Sequence, residues 1–530
     1  MRDLNLPGRS PVRAMNGMAA TSSPLASIAA IDMLKAGGNA IDAAIAACAV
    51  QCVVEPESTG IGGDCFALIS KGGSDEIVAF NGSGRAPMAA TPAWYATQGI
   101  KKIERQTPHA VTVPGAVDAW AQLLADHGSK SLAEVLAPAI RHARDGYPIT
   151  SRVSVDFERE ANILRADPTS TRIFMPGGRT PAEGEIHRQP ELAATMEHIA
   201  KHGRDGFYKG WIAEDLVAHL NSRGGLHTLD DFAQAKGEYV MPVSTEYRGQ
   251  RIVECPPNGQ GIIALELLNI LNEMEKPAGG PLSAARLHAF IEATRLAYRD
   301  RNLYVADPRQ VKVPANQLLD RARARRLAQS IDPKQRTANF PKLDMPVHAD
   351  TVYLCVVDKD RNAVSFINSL FANFGSGLCG PKSGVMLQNR GMSFTVDPQH
   401  PNAIAPGKRP MHTIIPAMAV EGDRAVMPFG VMGGSYQAAG HAWFISNMTD
   451  YGLDIQEAMD LPRVFADPDG GVEMESGLPQ EIVDSLMAMG HPRVLPDKPV
   501  GGSQAIRIDW KTGALCGGSD PRKDGCAIGY

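Results

Sequence analysis

Thr351 is the residue whose sequence context points most directly to catalysis. It follows residues 332–350, a polar stretch with three prolines and no periodicity, which predicts a linker or mobile tail. It opens the run Thr351–Asp358, which is apolar on both alternating faces, as in a strand covered on both sides. A Thr hydroxyl is a weak nucleophile, but an adjacent α-amine with a pKa of about 7.7–8 can serve as its base. The pattern therefore suits a nucleophile that gains this amine once the peptide bond between Asp350 and Thr351 is cut.

A second strand-like run, Ala363–Phe371, supplies a partner for this hydroxyl. If Asp358 pairs with Asn362 across a three-residue turn, Thr351 directly faces Ser369. Opposed residues project to the same face, with Cβ atoms about 5 Å apart. The hairpin thus predicts two adjacent hydroxyls, unless a bulge breaks the register. The alternative is that Thr351 is only a β-branched residue that opens a strand.

The elements around this hairpin are predicted from apolar patterning. Residues 25–36 have helical spacing and end at a Gly-Gly-Asn sequence, and residues 40–54 form an almost wholly apolar, buried helix. A glycine-bearing loop at 55–64 leads into a short strand at 65–69. Residues 110–330 are predicted to be mainly helical.

Composition excludes several classes of function. The chain has 530 residues, a net charge of −5 and no basic stripe, so neither nucleic acid nor a membrane is an expected partner. The start lacks the apolar stretch of a secretory signal, and none of the eight cysteines forms a CxxC pair, which favours the cytoplasm. No phosphate loop or metal-ligand cluster is evident, so we expect neither a cofactor nor a metal.

Seven segments together resemble the γ-glutamyltransferase family over most of the chain, from near residue 10 to the C-terminus. They are GGNAIDAA at 37–44, GIGGD at 60–64, VPGAVDAW at 113–120, DTVYLCVVDKDRNAVS at 350–365, FGSG at 374–377, PGKRP at 406–410 and MGGS at 432–435.

The resemblance implies an α+β fold, a four-layer αββα sandwich of the N-terminal-nucleophile hydrolase type with a large helical portion. It implies a precursor cut into a large subunit, 1–350, and a small subunit, 351–530, that together form one unit, and it leaves open a homodimer of such pairs. Ser369 falls where the family has a hydroxyl that contacts the nucleophile. The N–H groups of Gly433 and Gly434 are implied to hold the oxyanion, although such a pair can also be an ordinary turn.

Departures from the family concern the substrate. Met392 stands where the family has an acidic residue for the glutamate α-amino group, and Phe371 stands where it has an Asn. His412 and Thr413 replace two serines that contact the α-carboxylate. For the family's carboxylate-binding Arg there is no clean match. The candidates for carboxylate binding are therefore Arg85, which follows an apparent two-residue insertion, Arg390, His412 and Thr413, with surface ion pairs or a core histidine as the alternatives.

This pattern resembles the branch that contains oxamate amidohydrolase and cytoplasmic γ-glutamyltransferase-like hydrolases, and more loosely the cephalosporin acylases. The shared segments lie at 350–352, 388–391, 412–413, 432–434 and 520–522. The sequence therefore predicts a self-processed amidohydrolase for a small anionic amide such as oxamate, acting through an acyl-enzyme. The alternatives are a hydrolase or transferase of glutathione and other γ-glutamyl compounds, and an unprocessed protein that only binds a small anion.

Overall fold

The structure is a computed structural model that describes residues 8–338, 340, 351–466 and 470–530. Asp350, and with it the proposed scissile bond, lies outside the described residues, as does most of the second half of the predicted linker.

The helices of the described residues are numbered in chain order. They are α1 Pro24–Lys35, α2 Ala40–Val54, α3 Pro92–Thr97, α4 Ala116–His127, α5 Leu132–Asp145, α6 Ser151–Arg159, α7 Ala161–Arg165, α8 Pro168–Phe174, α9 Pro190–His202, α10 Arg204–Tyr208, α11 Trp211–Asn221, α12 Leu229–Ala233, α13 Gly261–Asn272, α14 Ala284–Tyr304, α15 Ala315–Leu318, α16 Arg321–Gln329, α17 Gln437–Tyr451, α18 Ile455–Asp460 and α19 Gln480–Ala488. Short 3₁₀ turns span Pro108–Ala110, Pro176–Gly178, Arg390–Ser393 and Gly434–Tyr436.

The strands are numbered in the same way. They are β1 Val12–Ala14, β2 Met18–Thr21, β3 Asp64–Ser70, β4 Ile77–Gly82, β5 Tyr147–Pro148, β6 Ile186–His187, β7 Glu238–Val240, β8 Val243–Tyr247, β9 Gln250–Glu254, β10 Val352–Val357, β11 Ala363–Ser369, β12 Ala417–Glu421, β13 Arg424–Met432, β14 Val464–Ala466, β15 Val472–Met474, β16 Arg493–Val494, β17 Gly502–Ile508, β18 Leu515–Ser519 and β19 Cys526–Gly529.

Two seven-stranded antiparallel sheets form the centre of the molecule. One has the strand order β1-β18-β17-β13-β12-β9-β8 and the other β19-β2-β10-β11-β3-β4-β7. Each sheet takes strands from both sides of residue 351. The two predicted subunits are therefore interleaved in both sheets.

Three apolar clusters separate four layers, as the predicted αββα sandwich requires. The first lies between α1, α2 and neighbouring helices and the outer face of the β10–β11 sheet. A second fills the space between the two sheets, with Tyr353, Cys355 and Met418 among its members. The third lies between the β12–β13 sheet and helices α13, α14 and α17. Sheets buried on both faces explain why the run from Thr351 to Asp358 lacks polar alternation.

Several predicted elements are confirmed with small boundary shifts. Helix α2 has the predicted bounds, α1 begins one residue early, and β3 extends the predicted strand by one residue at each end. The Asn39 side chain caps α2 through a reciprocal pair with Asp42, so the Gly-Gly-Asn sequence starts the second helix as well as ending the first. The prediction that 110–330 is mainly helical missed the strands β5–β9, of which β7–β9 complete the edges of both large sheets. Their pairing partners are distant in sequence.

The first half of the predicted linker is held in place, and in that half the prediction of a mobile tail was wrong. The carbonyl of Asp332 contacts Nε2 of His288 on α14, and the N–H of Thr337 donates to the carboxylate of Glu292 on the same helix. The N–H of Arg336 donates to the carbonyl of Met489, just beyond α19. The linker makes each of these contacts through its backbone, and amino-acid composition does not indicate backbone contacts.

Two further features concern the environment of the chain. None of its described helices is both long enough and apolar enough to cross a membrane. All eight cysteines are described, and each is a free thiol.

Candidate active site

The hairpin register matches the one predicted from the sequence. Strands β10 and β11 pair Val352 with Asn368 and Val357 with Ala363, and the N–H of Asp358 donates to the carbonyl of Asn362. No bulge interrupts the six paired positions. Thr351, one residue before β10, therefore lies opposite the last residue of β11.

The two predicted hydroxyls are in hydrogen-bond contact. Thr351 Oγ1 lies 3.0 Å from Ser369 Oγ, and both residues are fully buried. The N–H of Phe371 donates to Ser369 Oγ over 2.8 Å, which occupies one lone pair of that oxygen. If Thr351 Oγ1 acts as a nucleophile, a hydroxyl at this distance can orient it.

Phe371 has an unusual backbone conformation for a bulky residue. Its φ is +82°, in the left-handed region, where a non-glycine residue typically costs 1–3 kcal/mol. The bond to Ser369 and the bond from the Ala372 N–H to the Asn389 side chain hold this turn. Held in this way, the Phe371 ring lies against Arg390, with the guanidinium carbon 4.0 Å from the ring centroid.

Arg390 is a buried cation with unused donors. Its side chain is completely buried, and Nη1 donates to Thr413 Oγ1 over 2.7 Å. Within the described part of the chain, Nε and Nη2 have no hydrogen-bond partner, and no carboxylate lies within ion-pair distance. Burial lowers the pKa of this guanidinium, and the nearby carboxylate of Asp64 acts in the opposite direction. An arginine remains cationic at neutral pH, so its Nε–Nη2 edge matches one carboxylate held by two charge-assisted hydrogen bonds.

His412 is bonded at both ring nitrogens. Its Nε2 lies 2.9 Å from the Asp64 carboxylate, and Nδ1 accepts a long bond from the N–H of Ile414. Burial and the charge of Arg390 lower the pKa of His412 to about 3, so the ring is neutral and donates through Nε2. Asp64 also accepts from the N–H groups of Gly84 and Gly115. His412 thus contacts Asp64 and not Arg390. Its neighbour Thr413 is the residue that contacts Arg390.

Gly433 and Gly434 form the turn between β13 and the 3₁₀ turn that leads into α17. Their φ angles are +113° and +56°, and a Cβ on Gly433 would lie 2.8 Å from the Cα of Gly501. Among the described residues, neither N–H donates in a turn, loop or side-chain hydrogen bond, whereas both carbonyls accept one. The backbone conformation of this turn requires glycine, and its two carbonyls are fixed by hydrogen bonds. An N–H pair that binds an oxyanion needs a backbone fixed in this way.

Gln260 connects this turn to the Arg390 region. Its Nε2 donates to the carbonyls of Gly434, over 3.0 Å, and Thr413, over 2.8 Å. Its Oε1 accepts from Nη1 of Arg301, which also donates to Ser435 Oγ. One buried amide therefore fixes the distance between the glycine turn and the residue that holds Arg390.

Arg85 has different surroundings from Arg390. Its Nη1 donates to the carbonyl of Gly407 over 3.1 Å, and its guanidinium lies 3.6 and 3.8 Å from the carboxylates of Glu238 and Asp307. A quarter of the side chain is exposed. The described contacts of Arg85 belong to this ionic network, and the structure does not bring it to Thr413 or Arg390.

Sequence reasoning assigned no role to the side chains of Asp64, Gln260 and Arg301. Asp64 is the last residue of a glycine-rich motif, and Gln260 belongs to a turn between a strand and a helix. These positions indicated only weakly that the two residues belong to the site. Arg301 lies near the end of α14 among other charged residues, and no local pattern distinguishes it.

The fold is that of an N-terminal-nucleophile hydrolase, and comparison with known proteins agrees. A solved structure of cephalosporin acylase from Bacillus halodurans superposes with a TM-score of 0.93 at 40% identity, covering 100% of this chain and 99% of that one. The sequence profile of Gamma-glutamyltranspeptidase matches residues 26–530. The chain belongs to the gamma-glutamyltranspeptidase family.

Two curated relatives have different names within that family. A glutathione hydrolase-like proenzyme of Bacillus subtilis is 37% identical over 95% of this chain and 97% of its own length. The oxamate amidohydrolase proenzyme of Klebsiella pneumoniae is 34% identical over 97% of this chain and 98% of its own length. Both are named proenzymes, and both names denote hydrolases.

Proposed function

We propose that this chain is a proenzyme that cuts itself before Thr351 and then hydrolyses an amide whose acyl part carries a carboxylate. The observation that carries the proposal is the buried Nε–Nη2 edge of Arg390, described above, in a site that also holds the Thr351–Ser369 hydroxyl pair. A buried cation with unused donors is costly unless a ligand pairs with it. The interleaved strands support a product in which 1–350 and 351–530 stay together.

Processing and turnover use the same oxygen. In the precursor, Thr351 Oγ1 attacks the carbonyl carbon of Asp350, the C–N bond breaks, and water hydrolyses the resulting ester. The α-amine released at Thr351 then accepts the hydroxyl proton as Oγ1 attacks the substrate amide. The N–H groups of Gly433 and Gly434 hold the oxyanion, each contributing about 3 kcal/mol to the transition state. The amine leaves with a proton, and water releases the acid from the ester.

Arg390 and Thr413 place the acyl carboxylate, and His412, which contacts Asp64, directly precedes Thr413 in the chain. Met392 offers only a thioether, whose sulfur lies 3.4 Å from the Asn389 amide nitrogen. It cannot pair with an ammonium, and Phe371 supplies a ring face to Arg390 and no polar atom. These features favour an acyl group without an α-amino group, of which the oxalyl group of oxamate is the smallest.

Hydrolysis of glutathione is the second candidate, and the name of the Bacillus subtilis relative favours it. The two candidates differ in the α-amino group. Glutaryl anilide and γ-glutamyl anilide have the same chain length and differ only in that group. Oxamate is tested beside them as a substrate with a shorter acyl group. We expect the glutaryl compound to have a kcat/KM at least equal to that of the γ-glutamyl compound. A clear preference for the γ-glutamyl form would assign the protein to glutathione-type substrates.

Self-cleavage is tested on a denaturing gel. The wild type is expected to give two fragments, and Thr351→Ala only the full chain, while Thr351→Ser should still be cleaved because it keeps the hydroxyl. Amide hydrolysis by an intact wild-type chain would contradict the mechanism. Ligand-dependent thermal stabilisation without cleavage or turnover would instead identify a protein that only binds a small anion.

We also propose a cytoplasmic location. The eight free thiols, six of them buried, fit a reducing compartment. Fractionation of the native host with an antibody to the small fragment checks this, and recovery outside the cytoplasm would contradict it.

A further inference from the structure

Arg286 is a second buried arginine whose hydrogen-bond acceptors are all neutral. It lies near the start of α14 and is 5% exposed. Its Nη1 donates to the carbonyl of Pro281 over 2.8 Å, and its Nη2 donates to Ser446 Oγ and Asn447 Oδ1 over 2.9 and 2.7 Å. Within the described part of the chain, Nε donates no hydrogen bond, and no carboxylate lies within ion-pair distance of Arg286.

The guanidinium of Arg286 lies among aromatic rings. Its carbon is 3.6 Å from the ring centroid of Trp443, 5.0 Å from that of Tyr451 and 5.9 Å from that of Phe290. Cation–π attraction offsets part of the cost of burying the charge, but the rings carry no net charge of their own. Burial lowers the pKa of Arg286 to about 10, so the side chain remains cationic at neutral pH. A small anion would therefore complete its surroundings.

A cavity of about 30 Å³ lies beside Arg286, where the start of α14, the end of α17 and the segment after α13 meet. Two of its lining residues, Glu275 and Lys276, are exposed and mark the side that faces solvent. The charged residues that line it are Arg248, Glu275, Lys276, Arg286 and Asp450. With three cations and two carboxylates, the lining carries one net positive charge at neutral pH.

The two residues at the end of α17 differ in what they can offer a ligand. Asp450 is already paired, because its carboxylate accepts from Arg248 Nε over 3.1 Å and from the Tyr247 hydroxyl. Tyr451 lines the cavity with a buried hydroxyl that has no hydrogen-bond partner among the described residues. Burial raises the pKa of this phenol, so it keeps a proton to donate. Arg286 Nε and the Tyr451 hydroxyl are thus two donors without a described acceptor.

We propose that this cavity binds one chloride ion, held by Arg286 and the Tyr451 hydroxyl. A monovalent anion balances the net charge of the lining. The first turn of α14 contains no acidic residue, and the macrodipole of the helix favours an anion there. A water molecule needs about 10–15 Å³ of such a volume, so the cavity has room for one halide ion or two waters and is too small for sulfate or phosphate.

A bound chloride would connect α14 to the end of α17. Its ligands Arg286 and Tyr451 are separate from the residues of the candidate active site, so the inference goes beyond the proposed function and does not depend on it. Inactivity towards amides would leave the chloride site untouched, and failure of the chloride test would leave the proposed hydrolase untouched.

The test is the melting temperature of the purified wild-type protein as chloride replaces methanesulfonate at constant ionic strength. Methanesulfonate has the same charge but exceeds the volume of the cavity. We expect a saturating rise of about 2–4 °C with chloride. Arg286→Met should abolish this rise. Tyr451→Phe should reduce it by about half, and this variant loses only a hydroxyl without a described partner, so it answers the question even if Arg286→Met does not fold.

The matched controls are Arg179→Met and Tyr304→Phe, which change exposed residues outside the cavity lining and should keep the wild-type rise. Crystals grown with bromide in place of chloride locate the ion, and we expect an anomalous peak within hydrogen-bond distance of Arg286 Nε. A rise that is equal in the wild type, Arg286→Met and Tyr451→Phe, or a cavity that holds only water, would overturn the proposal. A bromide peak without any rise in solution would indicate an adventitious ion only and would overturn it as well.

Discussion

Arg390 and Arg85 carry the same charge in opposite surroundings. Arg390 is buried on the Phe371 ring with two nitrogen atoms that have no described partner, whereas Arg85 is partly exposed and lies near Glu238 and Asp307. A guanidinium already compensated by carboxylates gains little from a substrate anion. The two residues, equal candidates in the sequence, therefore have different expected roles.

Arg390→Met is expected to raise KM for a carboxylate-bearing amide by about 10- to 100-fold, since a charge-assisted hydrogen-bond pair typically contributes 1.5–3 kcal/mol. Arg390→Lys keeps the charge without the planar fork and should fall between. Arg85→Met is the control and should change KM by less than about two-fold. Steady-state kinetics on variants with a native circular dichroism spectrum decide this, and a larger effect at Arg85 would exchange the two roles.

Gln260 shows how an element positions a residue that it does not contain. It lies in the turn between β9 and α13, yet its side chain holds carbonyls of two other segments, at Gly434 and Thr413. The N–H pair proposed for the oxyanion thus depends on a buried amide from another part of the chain. Backbone donors are effective when they are preorganised, and Gln260 supplies part of that preorganisation.

Gln260→Ala is therefore expected to lower kcat by about 10- to 100-fold with little change in KM, because the glycine turn loses its support and Arg390 keeps its charge. Gln189→Ala provides the comparison, since it removes a buried amide that contacts Val53 and Tyr147 at a distance from the site. That variant should lose stability but keep its kcat. If both variants lose kcat in proportion to their melting temperatures, Gln260 has only a structural role.

At the scale of the whole molecule, buried neutral histidines link stability to pH. Burial lowers the pKa values of His187, His227 and His491 to about 4 each. The unfolded chain takes up these protons near pH 6.5, and the folded chain only near pH 4. The unfolded state therefore binds more protons in between, so stability is complete above pH 6.5 and falls as the pH drops towards 4.

Each such histidine is expected to cost about 3 kcal/mol of the free energy of unfolding by pH 4. His187→Leu should flatten the dependence of that free energy on pH between 6.5 and 4, whatever its effect at pH 7. His202→Gln, at an exposed position, should not. Denaturant titrations at several pH values measure the slope, and an unchanged slope in His187→Leu would show that this histidine does not resist protonation.

The sequence by itself determined the parts that depend on local order along the chain. The register of β10 and β11 follows from a three-residue turn and a period of two, and this register places Thr351 opposite Ser369. The sequence motifs indicated the family and, through it, the four-layer fold. The bounds of α2 were predicted correctly because its apolar run is flanked by the capping residues Asn39 and Glu55. The hairpin and helix signals are local, and each of the family motifs is a short continuous segment.

Only the tertiary structure decided which charged side chains have an ion-pair partner and which distant segments of the chain are in contact. Arg390 and Arg85 look alike in sequence because their surroundings depend on residues distant along the chain: Glu238 and Asp307 lie near Arg85, and the Phe371 ring lies against Arg390. For the same reason, strands β7–β9 and the contacts of Gln260 with Gly434 and Thr413 had no local signal in the sequence. Burial and hydrogen bonding are properties of residues brought together by the fold, and they distinguish the buried Arg390, proposed to bind a carboxylate, from the partly exposed Arg85.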